Sequence, residues 1–324
     1  MLNKISVNVL LKSVIAILAV AVVIALSLSA WSSWSRLVAV NRIAIVADAS
    51  SDLFTALHNL RVDRASTSRD LNSDKQLTTL SPQLKQVRDA DMPALKSALT
   101  KLETADFPGR QSAVTSLSQA IQKLTALHQE SAAAIALPKS APPQGLAQEY
   151  FKTTTALMEL LDNISTQLTR SVNLSDSYVD QLMELKQLGW MVRNAGGDAS
   201  VMISNALGGI PLPPDAMSKY TANVAQVETA WAALESLATG LPLPAYFSAA
   251  LDKAKREYFG TEYTDLRLKT LKALIAGEKI AAKADDWSQM SVAKLASLLG
   301  VAEAALKSAK EYASVQRAEA SWTL

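Results

Sequence analysis

Apolar residues recur at three- and four-residue spacing along nearly the whole chain, interrupted by clusters of proline and glycine and preceded by one unbroken apolar run. That run is Ser13 to Ala30, SVIAILAVAVVIALSLSA, with no charged residue, flanked by Lys12 on one side and by Trp31 and Trp34 on the other. A bilayer is crossed by about 20 apolar residues in helix, and Trp favours the membrane interface. Lys4 and Lys12 favour an inside start, so the pattern divides the chain into a cytoplasmic N-terminus (1–12), a transmembrane anchor (13–34) and an extracytoplasmic body (35–322). A cleaved signal peptide is the competing reading, with Ala25, Ser27 and Ala30 as small residues for cleavage. The run is longer than the usual apolar region of about 7–15 residues, and no Gly or Pro interrupts the helical pattern that follows.

Beyond the anchor the breakers fall at Pro82, Pro93, Pro108-Gly109, Pro138 to Gly145, Gly208 to Pro214, Gly240 to Pro244 and Gly260. The spacing between them predicts helices over 10–72, 83–104, 111–137, 145–207, 215–239, 245–259 and 262–322. A helix of about 60 residues reaches about 90 Å, so the longest of these describe a rod. In the first half Arg64 is followed by Pro82, Leu102-Glu103 and Pro108; in the second, Arg193 is followed by Pro214, Leu234-Glu235 and Pro242 at nearly the same intervals. A duplicated unit of long helix, turn and returning helix accounts for this. The predicted fold is all-α: an N-terminal transmembrane helix followed by an elongated rod of two stacked four-helix bundles with long shared helices.

Composition narrows the chemistry. With 49% hydrophobic and 19% charged residues the 324-residue chain has the means to pack a core. Its 32 basic and 30 acidic side chains give a net charge of only +2, which offers no field for a nucleic-acid backbone. The absence of Cys excludes thiol nucleophiles, disulfides and Cys-based metal clusters, and His58 and His128 are far apart in sequence, so neither a metal site nor a cofactor is expected. No Gly-rich phosphate loop, His-Glu metal motif or Gly-x-Ser-x-Gly elbow occurs, and pairs such as Asp285-Asp286 do not face one another on a helix. No catalytic residue and no enzyme activity are predicted.

The informative charges lie on apolar faces. Arg64 stands eleven residues after Leu53, within about 20° of the stripe made by Leu53, Leu57 and Leu60, and Arg193 stands eleven residues after Leu182. A guanidinium facing a bundle interior needs an acceptor. One is a carboxylate from a neighbouring helix, and Asp63, Glu159, Asp162, Asp198 and Glu228 are available. The other is a small anion, since the planar fork matches nitrate or a carboxylate, and Gly189, Gly196 and Gly197 leave room beside Arg193. Arg61, Trp190 and Asn194 complete the candidate ligand-binding set with Arg64 and Arg193.

The segment LHNLRVDRASTSRDL, Leu57 to Leu71, resembles the first-helix motif of the NIT (nitrate- and nitrite-sensing) type of bacterial sensor domain, with Ala65 where that motif has Gly. The segment from Leu185 to Pro213 is similar to the long central helix of ligand-binding regions in methyl-accepting chemotaxis proteins, with Trp190 and Arg193 at the Trp-x-x-Arg spacing, and Asp285 to Ala313 resembles the last helix of such regions. The resemblance implies the periplasmic sensor of a bacterial inner-membrane chemoreceptor, a homodimer that binds nitrate, nitrite or a carboxylate between helices, with Arg64 carried over as a ligand-holding arginine. Chemoreceptors continue into a second transmembrane helix, a HAMP relay and a signalling hairpin, none of which these 324 residues contain; the expectation is a chain that senses without signalling by itself. The alternative is a helical rod or adaptor with no small-molecule ligand, its arginines neutralised internally.

Overall fold

The computed structural model describes residues 7–72, 77–137 and 145–322, and every regular element among them is an α-helix. In chain order these are α1 (Val7–Asn72), α2 (Pro82–Thr104), α3 (Arg110–Ala136), α4 (Leu146–Val172), α5 (Ser177–Leu207), α6 (Ala216–Thr239), α7 (Ala245–Glu257), α8 (Thr261–Ile275) and α9 (Ala284–Trp322). Residues 1–6, half of the expected cytoplasmic N-terminus, lie outside the described residues, as does most of the breaker cluster from Pro138 to Gly145.

Two of the predicted helices are each two. The span 145–207 divides into α4 and α5 at 173–176, where Leu174 has φ 63° and its amide is held by the Asp180 carboxylate at 3.1 Å. Asp176 then caps α5, accepting from the amides of Tyr178 and Val179 at 2.8 and 3.2 Å. The span 262–322 divides into α8 and α9 around Gly277, whose φ of 71° ends the helical path.

The ends of the helices show how they are arranged. α1 pairs with α9 in antiparallel sense, Arg69 meeting Asp285 at 2.6 Å and Asp48 meeting Lys310 at 2.7 Å. Arg42, near the start of the packed part of α1, bonds Asp106 in the α2–α3 connection. Asp176, between α4 and α5, bonds Tyr312 near the other end of α9, and Tyr178 bonds the Pro242 carbonyl between α6 and α7. All of these turns therefore lie at one level. α1, α2, α3 and α4 form one four-helix group, and α5, α6, the bent pair α7–α8 and α9 form a second. They stand side by side along the α1–α9 and α4–α5 contacts, rather than one above the other as expected. A stacked rod requires α4 to run straight into α5, and the turn at Leu174 reverses the chain instead.

One contiguous apolar core joins both groups, from Val40 and Ile43 through Leu57, Leu182 and Leu299 to Ala313. Below it α1 is bare: every residue from 8 to 32 is exposed, including Ile17, Leu26 and Trp31. This stretch is long and apolar enough to cross a membrane, a property that a signal sequence shares. α9 meets the same measure of apolarity, but 56% of its most apolar stretch is buried in the core.

Candidate functional site

Where α1, α5 and α9 meet, the apolar core gives way to a polar pocket. The spacing that carries Leu182, Leu185 and Gly189 inward also turns Arg193 inward, leaving it 2% exposed. Among the described residues its guanidinium bonds no carboxylate. Nε and Nη2 donate to His58 Nδ1 at 3.3 and 3.2 Å, Nη2 also approaches the His58 carbonyl at 3.5 Å, and Nη1 is buried without a hydrogen-bond partner. The acceptor role of Nδ1 puts the His58 proton on Nε2. Burial first, then Arg193 and Arg61, pulls His58 down to about 3, so it is a neutral acceptor that brings no negative charge to Arg193. Burial first, then Arg61, pulls the Arg193 guanidinium down to about 9. Since arginine keeps its proton in proteins, the shift measures how poorly the charged form is served where it lies.

A cavity of about 40 Å³ adjoins this guanidinium, bordered by Arg61, Arg64, Arg193 and Gly197 and by hydroxyls including Ser200 and Ser291. At about 10–15 Å³ for each water, that is room for about three waters, the scale of a planar four-atom anion. Gly197 matters for space. A Cβ there would lie 2.8 Å from Arg193 Nη1 and 3.8 Å from Arg61 Nη1, so its absence keeps the gap between the two cations open. Gly196 and Gly189 serve packing, the first admitting the Tyr258 hydroxyl into the space a Cβ would fill, and the second letting α9 approach at Ala302.

The five predicted ligand residues have unequal places. Arg61 and Arg193 border the cavity, and Arg61 also pairs with the exposed Asp198 at 2.9 Å. Arg64 reaches the cavity from a half-buried position, with Nη1 on the Thr155 hydroxyl at 2.7 Å and its guanidinium 4.6 Å above the Phe151 ring. Trp190 does not border the cavity but lies under Arg193, whose guanidinium is 5.7 Å from its ring centroid; it stacks on Phe54 with 4.7 Å between ring centroids, and its indole N–H donates to Asp162 at 2.9 Å. Asn194 also lies off the cavity, half-buried on α5 with Oδ1 unpartnered. Sequence reasoning missed His58 and the serines of α9. The single local signal was His58 one turn before Arg61, on a helix already rich in inward-facing residues.

A second buried arginine lies in the first four-helix group with a different environment. Arg88 on α2 bonds Asp63 Oδ1 through Nε at 3.1 Å, the His128 carbonyl through Nη1 at 3.0 Å, and the Thr67 and Ser131 hydroxyls through Nη2 at 2.9 Å each. Asp63 is fully buried; burial opposes its charge, but bonds from His128 and Tyr150 and the Arg88 cation outweigh that and hold its carboxyl below the usual range.

No family model matches this chain, and neither a curated protein nor a solved structure matches it.

Proposed function

We propose that this chain is the membrane-anchored, extracytoplasmic sensing part of a chemoreceptor-like transducer, and that it holds a small planar anion of the nitrate, nitrite or carboxylate class between α1 and α5. The observation that carries this reading is Arg193 Nη1, buried, unpartnered and facing the gap at Gly197 beside a cavity bordered by two further arginines. Three cations converge there, and the nearby carboxylate of Asp198 is spent on Arg61. An oxyanion would accept from Nη1 and from Arg61 at once and supply the charge that His58 lacks. Because α1 carries Arg61 and Arg64 and α5 carries Arg193, occupancy favours one relative position of these helices. α1 continues into the bare apolar segment, which gives the shift a route to and through a membrane.

The test is thermal melting of the full chain in detergent micelles against nitrate, nitrite, formate, acetate and chloride, repeated for Arg193→Met. A ligand at 100 times its Kd stabilises by about 2.7 kcal/mol. The expected result is a rise in Tm with at least one planar oxyanion, larger than with chloride and lost in Arg193→Met. Equal melting in every salt supports the alternative of a rod whose arginines serve packing alone.

A further inference from the structure

The first four-helix group holds a cluster to which the anion cavity contributes nothing. We propose that Asp63, Asp91 and His128 form a binding site for a divalent first-row transition ion of the Zn²⁺ class. The three come from α1, α2 and α3, and one ligating atom of each lies within 4.8 Å of the other two. α4 brings Tyr150, whose hydroxyl donates to Asp63 Oδ2, so all four helices project a polar side chain onto one point. Metal sites in helical bundles are assembled in this way.

The two oxygens of Asp63 have separate roles. Oδ1 accepts from Arg88 and from Thr67, while Oδ2 meets His128 Nε2 at 2.8 Å and accepts from the Tyr150 hydroxyl. Arg88 thus backs the carboxylate from behind and orients it, as outer partners do for ligating carboxylates. Oδ2 and Nε2, 2.8 Å apart, come within reach of a common ion once Nε2 gives up the proton it donates to Oδ2, since bonds of about 2.0–2.2 Å allow separations up to about 4.2 Å. Asp91, within 4.8 Å of both, completes the set on closing to that reach.

Independent support comes from Asp91 itself. It is fully buried, and apart from the Met92 amide in its own turn neither carboxylate oxygen meets a donor. Native proteins rarely leave such a group unserved, and a bound cation satisfies a carboxylate that no donor reaches. His128, only partly buried, opens the cluster to solvent and gives an ion its way in. One imidazole nitrogen with two carboxylates suits borderline ions such as Zn²⁺ better than Ca²⁺ or thiophilic ions. The wide sequence separation of the two histidines hides this site, because its partners are aspartates from other helices.

The experiment uses the full chain in detergent micelles, stripped with chelator, loaded with Zn²⁺ and desalted, with bound metal counted by elemental mass spectrometry and Tm recorded. Wild type is expected to retain one equivalent and to melt higher than the stripped protein. Asp91→Asn and His128→Gln are expected to bind at least tenfold more weakly. Asp91→Asn forfeits no strong hydrogen bond, so its stripped form should melt at or above wild type, which separates loss of the site from loss of the fold. Retention by Asp91→Asn equal to wild type, or no retention by wild type, overturns the assignment. Neither result bears on the anion cavity.

Discussion

Arg88 and Arg193 are both buried arginines in helix interiors, yet one is saturated and the other is not. Arg88 has a carboxylate, a carbonyl and two hydroxyls in reach, all supplied by neighbouring helices. Arg193 has a neutral imidazole and an orphan N–H. A buried cation closed within its own polypeptide holds helices in register, whereas one left open is strained until something negative arrives. The same side chain is thus structural in one group and available for binding in the other, and the difference lies in the acceptor.

Truncation exposes that difference most strongly. Asp63→Ala, studied in chelator, strands Arg88 in the core and is expected to cost about 3–5 kcal/mol in chemical denaturation. Arg193→Met removes a charge that no bonded carboxylate compensates, Asp198 acting on it only from a distance, and strands only the His58 acceptor, so its stability should stay within about 1 kcal/mol of wild type. Equal losses in the two variants would erase the contrast and with it the case that Arg193 waits for a ligand.

Acid sharpens it next. Unfolded, His58 takes up a proton near pH 6.5, while folded it stays neutral down to about 3. Below pH 6.5 the unfolded state therefore binds more protons, and the His58 contribution falls as pH drops through this window. At pH ~5 the loss amounts to ~2 kcal/mol. His58→Asn keeps an acceptor near Nδ1 but cannot titrate, so its unfolding free energy relative to wild type should rise by that amount between pH ~7.5 and ~5. Taking the difference between the two proteins cancels the carboxylates they share. A flat difference would show that His58 takes up its proton in the folded chain as it does unfolded, and a fall would show that it is charged there.

Helices were legible from spacing, and so was the inward turn of Arg193, because both follow from local periodicity. The break at 173–176 was not, since it uses neither Gly nor Pro; the Asp180 side chain holds the Leu174 amide and the Asp176 side chain caps α5. Missing that turn converted two groups side by side into a stacked rod. At the site, Arg61, Arg64 and Arg193 could be nominated from their helix faces, whereas the neutrality of His58 and the grouping of Asp91 with His128 depend on contacts between helices remote in sequence. Trp190 does not border the cavity because a Trp at helical spacing from an Arg serves packing as readily as binding, and here it stacks on Phe54 with the Arg193 guanidinium over its ring.

Gly197→Ala is the finest probe, since it changes neither charge nor partner. The added methyl would stand 2.8 Å from Arg193 Nη1, too close without movement of the guanidinium, and would occupy the gap shared with Arg61. Against that crowding, alanine in a helix interior gains up to about 1 kcal/mol over glycine. The two effects oppose, so the net change in stability without ligand should fall within about 1 kcal/mol of zero. The cavity, at about 40 Å³, has little space to surrender. The anion-induced rise in Tm should therefore shrink by at least half while the fold, followed by circular dichroism, stays unchanged. If the anion response survives Gly197→Ala intact, the anion binds elsewhere, and the open guanidinium of Arg193 is no more a receptor than the closed one of Arg88.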